Sequence, residues 1–193
     1  MTCIVAVIVG DEVVMGAESS GADLQEREMY TIDMPKVFRA GPWIVGYSGS
    51  YRLGQILKFS MTWPEPPEKL DYEFMATEMV RALHDCLSKQ FDSKQPDGAA
   101  NRHWQILIGY RGKVFGISYK YDVISSSDSH AAIGGGRKVA LGALQALAGH
   151  PDLSPRERVE RALEVACKYV PGLRGPFVIE SLVPEAESAL AAL

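Results

Sequence analysis

The stretch "TCIVAVIVGDEVVMGAES", Thr2 to Ser19, holds two runs of β-branched and apolar residues on either side of Gly10 and Asp11. Such residues favour a packed, pleated surface, and the Gly-Asp-Glu turn between them predicts a β-hairpin, so the chain opens in a sheet. Thr2 has two readings. It is the ordinary end of a strand, or Met1 is removed and Thr2 becomes a free N-terminus that does chemistry.

Working outward from the hairpin, the 193 residues are 47% apolar and 23% charged, which fits one globular domain spanning residues 1–193 with a sizeable core. The net charge of -4, with no Lys/Arg block, argues against nucleic acid and against an anionic membrane surface. The opening apolar run has no cationic region before it and meets Gly10, Asp11 and Glu12 too soon for a signal peptide; with no later stretch of membrane-spanning length, a cytoplasmic protein is expected. Cys3, Cys86 and Cys167 are widely spaced, as are His84, His103, His130 and His150, so neither a disulfide framework nor a metal site is expected.

Lys36 to Arg39 and Trp43 to Tyr47 read as a second hairpin across Ala40, Gly41 and Pro42. A helix is expected from Tyr51, with Leu53, Ile56, Leu57 and Phe59 inward, and a longer one between Tyr72 and Phe91. Residues 92–101 read as a loop. "WQILIGYRGKVFGISY" gives two strands about Arg111 and Gly112, and "AAIGGGRKVALGAL" passes from strand through glycines into helix. Ser154, Pro155 and Glu157 form a capping box, which starts another helix; "PFVIESL" is a last strand and "PEAESALAAL" a terminal helix or tail. Strands alternating with pairs of helices predict a layered α+β domain, with sheets stacked and helices outside.

A threonine hydroxyl is a poor nucleophile without a base beside it, and a free α-amino group on the same residue is such a base. A nearby lysine favours the neutral amine, and a carboxylate holds that lysine charged and aimed. Lys36 and Glu18, at expected strand ends, are candidates for those tasks; the same two residues also fit a solvated charge pair.

"TCIVAVIVGDEVVMGAES", "PKVFRAGPWIVGYSGS", "AIGGGRKVALGAL" and "RALEVACKYVPG" together resemble the peptidase subunits of the proteasome and HslV, N-terminal nucleophile hydrolases with a four-layer αββα sandwich. By position, the resemblance implies Thr2 as nucleophile, Glu18 as the acidic residue, Lys36 as the lysine and Gly46 as donor of the backbone N–H that stabilises the oxyanion. A close-packed strand glycine is the alternative reading of Gly46. The resemblance puts Met34, Ile44 and Ser48 around the pocket for the side chain before the cut bond, which would favour apolar residues. Cys3 should point to the opposite face of the strand from Thr2.

The sequence departs from the family in its supporting residues. The family's Gly-Ser-Gly turn is Gly134, Gly135 and Gly136 here, and its later aspartate and serine align with Lys168 and Pro171. Lys168 also suits an exposed helix C-terminus, where a cation complements the dipole. The implied function is a threonine-type endopeptidase subunit that needs no cofactor, acts on protein or peptide substrates, assembles into stacked rings and works with an ATP-dependent unfoldase. The alternatives are a catalytically inactive structural member of the same ring family, in which Gly135, Lys168 and Pro171 record lost activity, and a small-molecule amidase of the wider class.

Overall fold

The computed structural model describes residues 1–23, 28–90, 103–125 and 127–183. The opening hairpin is β1 (Ile4–Val9) and β2 (Glu12–Glu18), with Gly10 at φ 57°, the left-handed region in which glycine turns without a Cβ penalty. β1 and β2 are central in an antiparallel sheet of order β10-β1-β2-β11, where β10 is His130–Ile133 and β11 is Phe177–Leu182. A second antiparallel sheet has the order β5-β6-β7-β8-β9: Val37–Ala40, Trp43–Ser48, Gln105–Tyr110, Lys113–Ser118 and Val123–Ser125. A short ribbon pairs β3 (Ser20–Asp23) with β4 (Glu28–Thr31).

The unbroken apolar character of β1 follows from burial on both faces. Ile4 and Ala6 pack between the two sheets with Met15, Val37, Ile44, Leu107 and Val114. Cys3, Val5 and Val7 face the other way, onto α4 (Arg137–Leu147) and α5 (Pro155–Tyr169). Alternate residues of a strand point to opposite faces, so a strand with helices on one side and a sheet on the other has no position left for a polar residue. The far face of the second sheet, through Trp43, Val45, Tyr47, Ile106 and Ile108, packs on α1 (Tyr51–Phe59) and the helical run that follows it.

That run comprises α2 (Tyr72–Phe74), a π-wound turn over Met75–Met79 and α3 (Val80–Gln90), and buries Met75, Met79, Leu83 and Leu87. It lies where the sequence places its longer helix, except that Phe91 falls outside the described residues, as do the loop at 92–101 and the segment 184–193. Periodicity did not reveal the π turn, because one extra residue per turn leaves the three- and four-residue spacing almost intact. β3, β4 and β9 were not expected either. β4 is exposed at all four positions and β9 is three residues long, so neither carries a hydrophobic alternation to read. The capping box on α5 is present as read: Ser154 accepts from the Glu157 N–H, and the Glu157 carboxylate accepts from the Ser154 N–H.

Candidate active site

Thr2 stands at the head of β1, where the sheet ladder carries the chain past Glu18 at the end of β2. Glu18 is a fully buried carboxylate whose donors come from three directions. Its Oε1 accepts from the Cys3 N–H at 3.2 Å and from Lys36 Nζ at 2.5 Å; its Oε2 accepts from the Ser20 N–H at 2.7 Å and from the Ser20 hydroxyl. Lys36, 4% exposed, also donates to the Ser20 carbonyl at 2.8 Å. The pair is therefore not the solvated surface couple that the sequence also allowed. Burial pushes the Lys36 ammonium below its ordinary pKa, and Glu18 opposes that shift through its charge and its hydrogen bond.

The ends of three elements meet here for local reasons. β2 ends at Glu18, whose side chain is fixed by the turn into β3 through Ser20; Lys36 immediately precedes β5, and its carbonyl accepts from the Tyr47 N–H of β6 at 3.0 Å. A buried ion pair contributes little net stability, since each charge loses its water, yet removing one partner strands the other. Here Glu18 Oε1 joins Lys36 to the Cys3 N–H, one residue from Thr2.

Gly46 lies within β6, paired with Val37 on one side and Leu107 on the other. A Cβ there would sit 2.6 Å from Ile4 Cγ2 and 2.8 Å from Met15 Sδ, so close packing between the sheets requires glycine at this position. Ser48, at the end of the same strand, lies beside the N-terminal segment: its Oγ is 3.2 Å from where a Cβ on Gly134 would stand, and that point is 2.3 Å from the Thr2 carbonyl oxygen. The other two expected pocket residues are packed against apolar clusters. Ile44 is wholly buried in the core between the sheets, and Met34 packs against the cluster under α1.

The glycine turn holds the N-terminus. Gly134, at φ 89°, approaches Thr2 too closely for any side chain, and the Gly136 N–H donates to the Thr2 carbonyl at 3.1 Å. The Met1 side chain lies between Gly135 and Gly172: a Cβ on Gly135 would be 3.0 Å from Met1 Sδ, and one on Gly172 would be 3.4 Å from Met1 Cγ. The position of the missing family serine is thus next to Met1. Lys168 does not contribute there in the way an aspartate would. It is exposed in the last turn of α5, with Nζ 5.6 Å from the Tyr169 ring centroid. Ser20 is committed to Glu18, while Ser19 is buried and donates its N–H to the Arg174 carbonyl.

Cys3 lies on the helix face of β1, fully buried, and burial with the nearby Glu18 charge raises its thiol to about 12. It is protonated at neutral pH and unsuited to act as a nucleophile. Gln105 was not singled out by sequence; its Oε1 accepts from the Gly134 N–H at 3.3 Å and so supports the turn under Thr2. A cross-strand neighbour of Ser48, it has no motif that marks it. Among the described residues no group of His, Cys, Asp and Glu is arranged to hold a metal ion, and no helix is long and apolar enough to cross a membrane.

Comparison with known proteins finds likeness in both sequence and fold. No family model matches the chain. The ATP-dependent protease subunit HslV of Pseudothermotoga lettingae is 34% identical over 77 residues, a match spanning 40% of this chain and 44% of that protein. Among solved structures, Thiobacillus denitrificans BPH in complex with epoxomicin is similar with TM-score 0.75 and 18% identity, over 95% of this chain and 100% of that one. HslV from Trypanosoma brucei is similar with TM-score 0.68 and 20% identity over the same shares. Anbu from Yersinia bercovieri, with TM-score 0.66 and 13% identity, covers 93% of this chain and 81% of its own. The resemblance to HslV-like, proteasome-type peptidases read from the motifs is met again in a curated relative and in the fold.

Proposed function

We propose that this chain is a threonine-type endopeptidase subunit of the N-terminal nucleophile class, active once Met1 has been removed. The observation that supports it most is the buried Lys36–Glu18 pair, bonded through Glu18 Oε1 to the backbone one residue from Thr2. On this reading the stacked sheets flanked by helices are the αββα sandwich of that class.

In the reaction, the Thr2 hydroxyl oxygen bonds to the peptide carbonyl carbon while its proton passes to the Thr2 α-amine. The Lys36 ammonium has three donors, two of which go to Glu18 and the Ser20 carbonyl; the third is the one this mechanism aims toward Thr2. Its positive charge favours the neutral form of the amine. The Gly46 N–H serves the oxyanion of the tetrahedral intermediate. Collapse breaks the C–N bond, and the α-ammonium returns its proton to the departing amine. Water then attacks the threonine ester and gives a proton to the α-amine; collapse breaks the ester C–O bond, the α-ammonium passes that proton to the Thr2 oxygen, and the acid is released, restoring Thr2.

Rings of identical subunits, with an ATP-dependent unfoldase to feed them, complete the proposal; similarity to the HslV protease subunit supports that part. The second reading, an inactive ring member, is favoured by Met1 lying against Gly135, in the place of the lost serine. One experiment separates them. Intact mass establishes Met1 removal, and a threonine-directed covalent peptidase inhibitor is then mapped on wild type and Thr2→Ala. The expected result is one adduct on Thr2, absent in the variant. A Met1-free protein that forms no adduct is not a threonine peptidase.

A further inference from the structure

Thr2 has two unlike flanks. On one, β2 and β5 bring in Glu18 and Lys36. On the other, between the β10 edge of the first sheet and β7–β9 of the second, lies a cavity of about 300 Å³. Its walls are chiefly apolar, among them Leu107, Val114, Ile117 and Ile133, while exposed Ile124 and Arg137 stand at its margin. Its inner end adjoins the catalytic segment, because Gln105 lines it and the same Gln105 accepts the N–H of Gly134, which lies against the Thr2 carbonyl.

The sequence creates this space with small residues. Gly116 of β8 faces Leu107 across the ladder, and a Cβ on Gly116 would find no atom nearer than 3.8 Å. Ala131 and Ala132 of β10 leave the opposite wall short. Gly46 is forced by a contact at 2.6 Å, whereas a Cβ on Gly116 has room, so close packing does not require glycine there. Protein interiors leave few voids larger than a water, and an apolar space of this size accepts apolar ligands.

We propose that this cavity is a specificity pocket that takes one large apolar side chain of the peptide substrate, on the flank of Thr2 opposite Lys36. The inference rests on the peptidase reading for its occupant. Volume, lining and continuity with the Thr2 segment argue for that occupant, and the fully buried Ile44 leaves no surface of its own for such a side chain.

The test fills the pocket from Gly116, where a side chain enters without backbone strain. Met1-free wild type, Gly116→Ala and Gly116→Val are assayed against a positional library of fluorogenic peptides, with melting temperature as a check on folding. The expected result is a graded fall in kcat/KM, about tenfold or more for Gly116→Val, confined to peptides with Leu, Met or Phe at one position, while alanine there is unaffected. A uniform change across the library, or none in a folded variant, overturns the proposal. Binding of a fluorescein-labelled Phe-containing peptide to Thr2→Ala, with and without Gly116→Val, keeps the two readings apart. Weaker binding with Gly116→Val, where Met1-free wild type hydrolyses no peptide, supports the pocket and sinks the peptidase; hydrolysis by wild type without a positional effect of Gly116→Val does the reverse. Absence of both binding and hydrolysis overturns both.

Discussion

At the scale of single residues, the decisive feature is a charge pair that has been taken out of water. Lys36→Met would leave the Glu18 carboxylate buried, with donors from Ser20 and Cys3 but no counter-charge. The expected loss is about 3–5 kcal/mol, read from urea unfolding at neutral pH. Adding Glu18→Gln to the same chain should recover a large part of it, since the stranded charge is then gone. If the double variant is no more stable than Lys36→Met, the carboxylate is not the source of the cost. The same residues mark how far sequence reasoning reaches. Thr2, Glu18 and Lys36 were read as a set through the resemblance, because their residue types alone also fit a strand end and a solvated charge pair; the structure bonds Glu18 to Lys36 and to the Cys3 N–H. Gln105 was missed because its task depends on a register between β6 and β7 that no local pattern encodes.

At the scale of elements, the turn from β10 into α4 is one place where the sequence departs from the family it resembles. Three successive glycines here meet different demands. Gly134 is excluded from any side chain by the Thr2 carbonyl, and a Cβ on Gly136 would lie 2.7 Å from Cys3 Cβ. A Cβ on Gly135 would be 3.0 Å from Sδ of the flexible Met1 side chain, which can move and which removal of Met1 takes away. Gly135→Ser should therefore fold as wild type does, with an unchanged melting temperature. If a hydroxyl at this position orients the Thr2 amine, the substitution should raise kcat of the Met1-free protein about tenfold, because small errors in placing a base are expensive in rate. An unchanged kcat would assign the orienting task elsewhere. Elements with strong local signals were legible throughout: the β1–β2 hairpin from its turn, and α5 from Ser154, Pro155 and Glu157. Those set by tertiary context were not, namely the exposed β3–β4 ribbon, the short β9 and the π turn at Met75–Met79.

At the scale of the whole molecule, the two sheets bury their facing surfaces on each other and their outer surfaces under helices, which leaves helices, loops and the edge strands for any further association. Phe59, 71% exposed at the end of α1, is the most exposed large apolar side chain of that layer among the described residues, and Lys58 lies 5.7 Å from its ring centroid. One exposed aromatic is ordinary on a monomer; in the proposed ring, a residue on the contact face would recur at every equivalent contact. Sedimentation at micromolar concentration should give a mass many times the 21.1 kDa of the chain. Phe59→Asp should shift the distribution toward smaller species by placing a charge in the contact, whereas Thr2→Ala should leave it unchanged, separating assembly from chemistry. A wild-type protein that sediments as a single chain would remove the ring from the proposal and leave the small-molecule amidase as the stronger account of the Thr2 site.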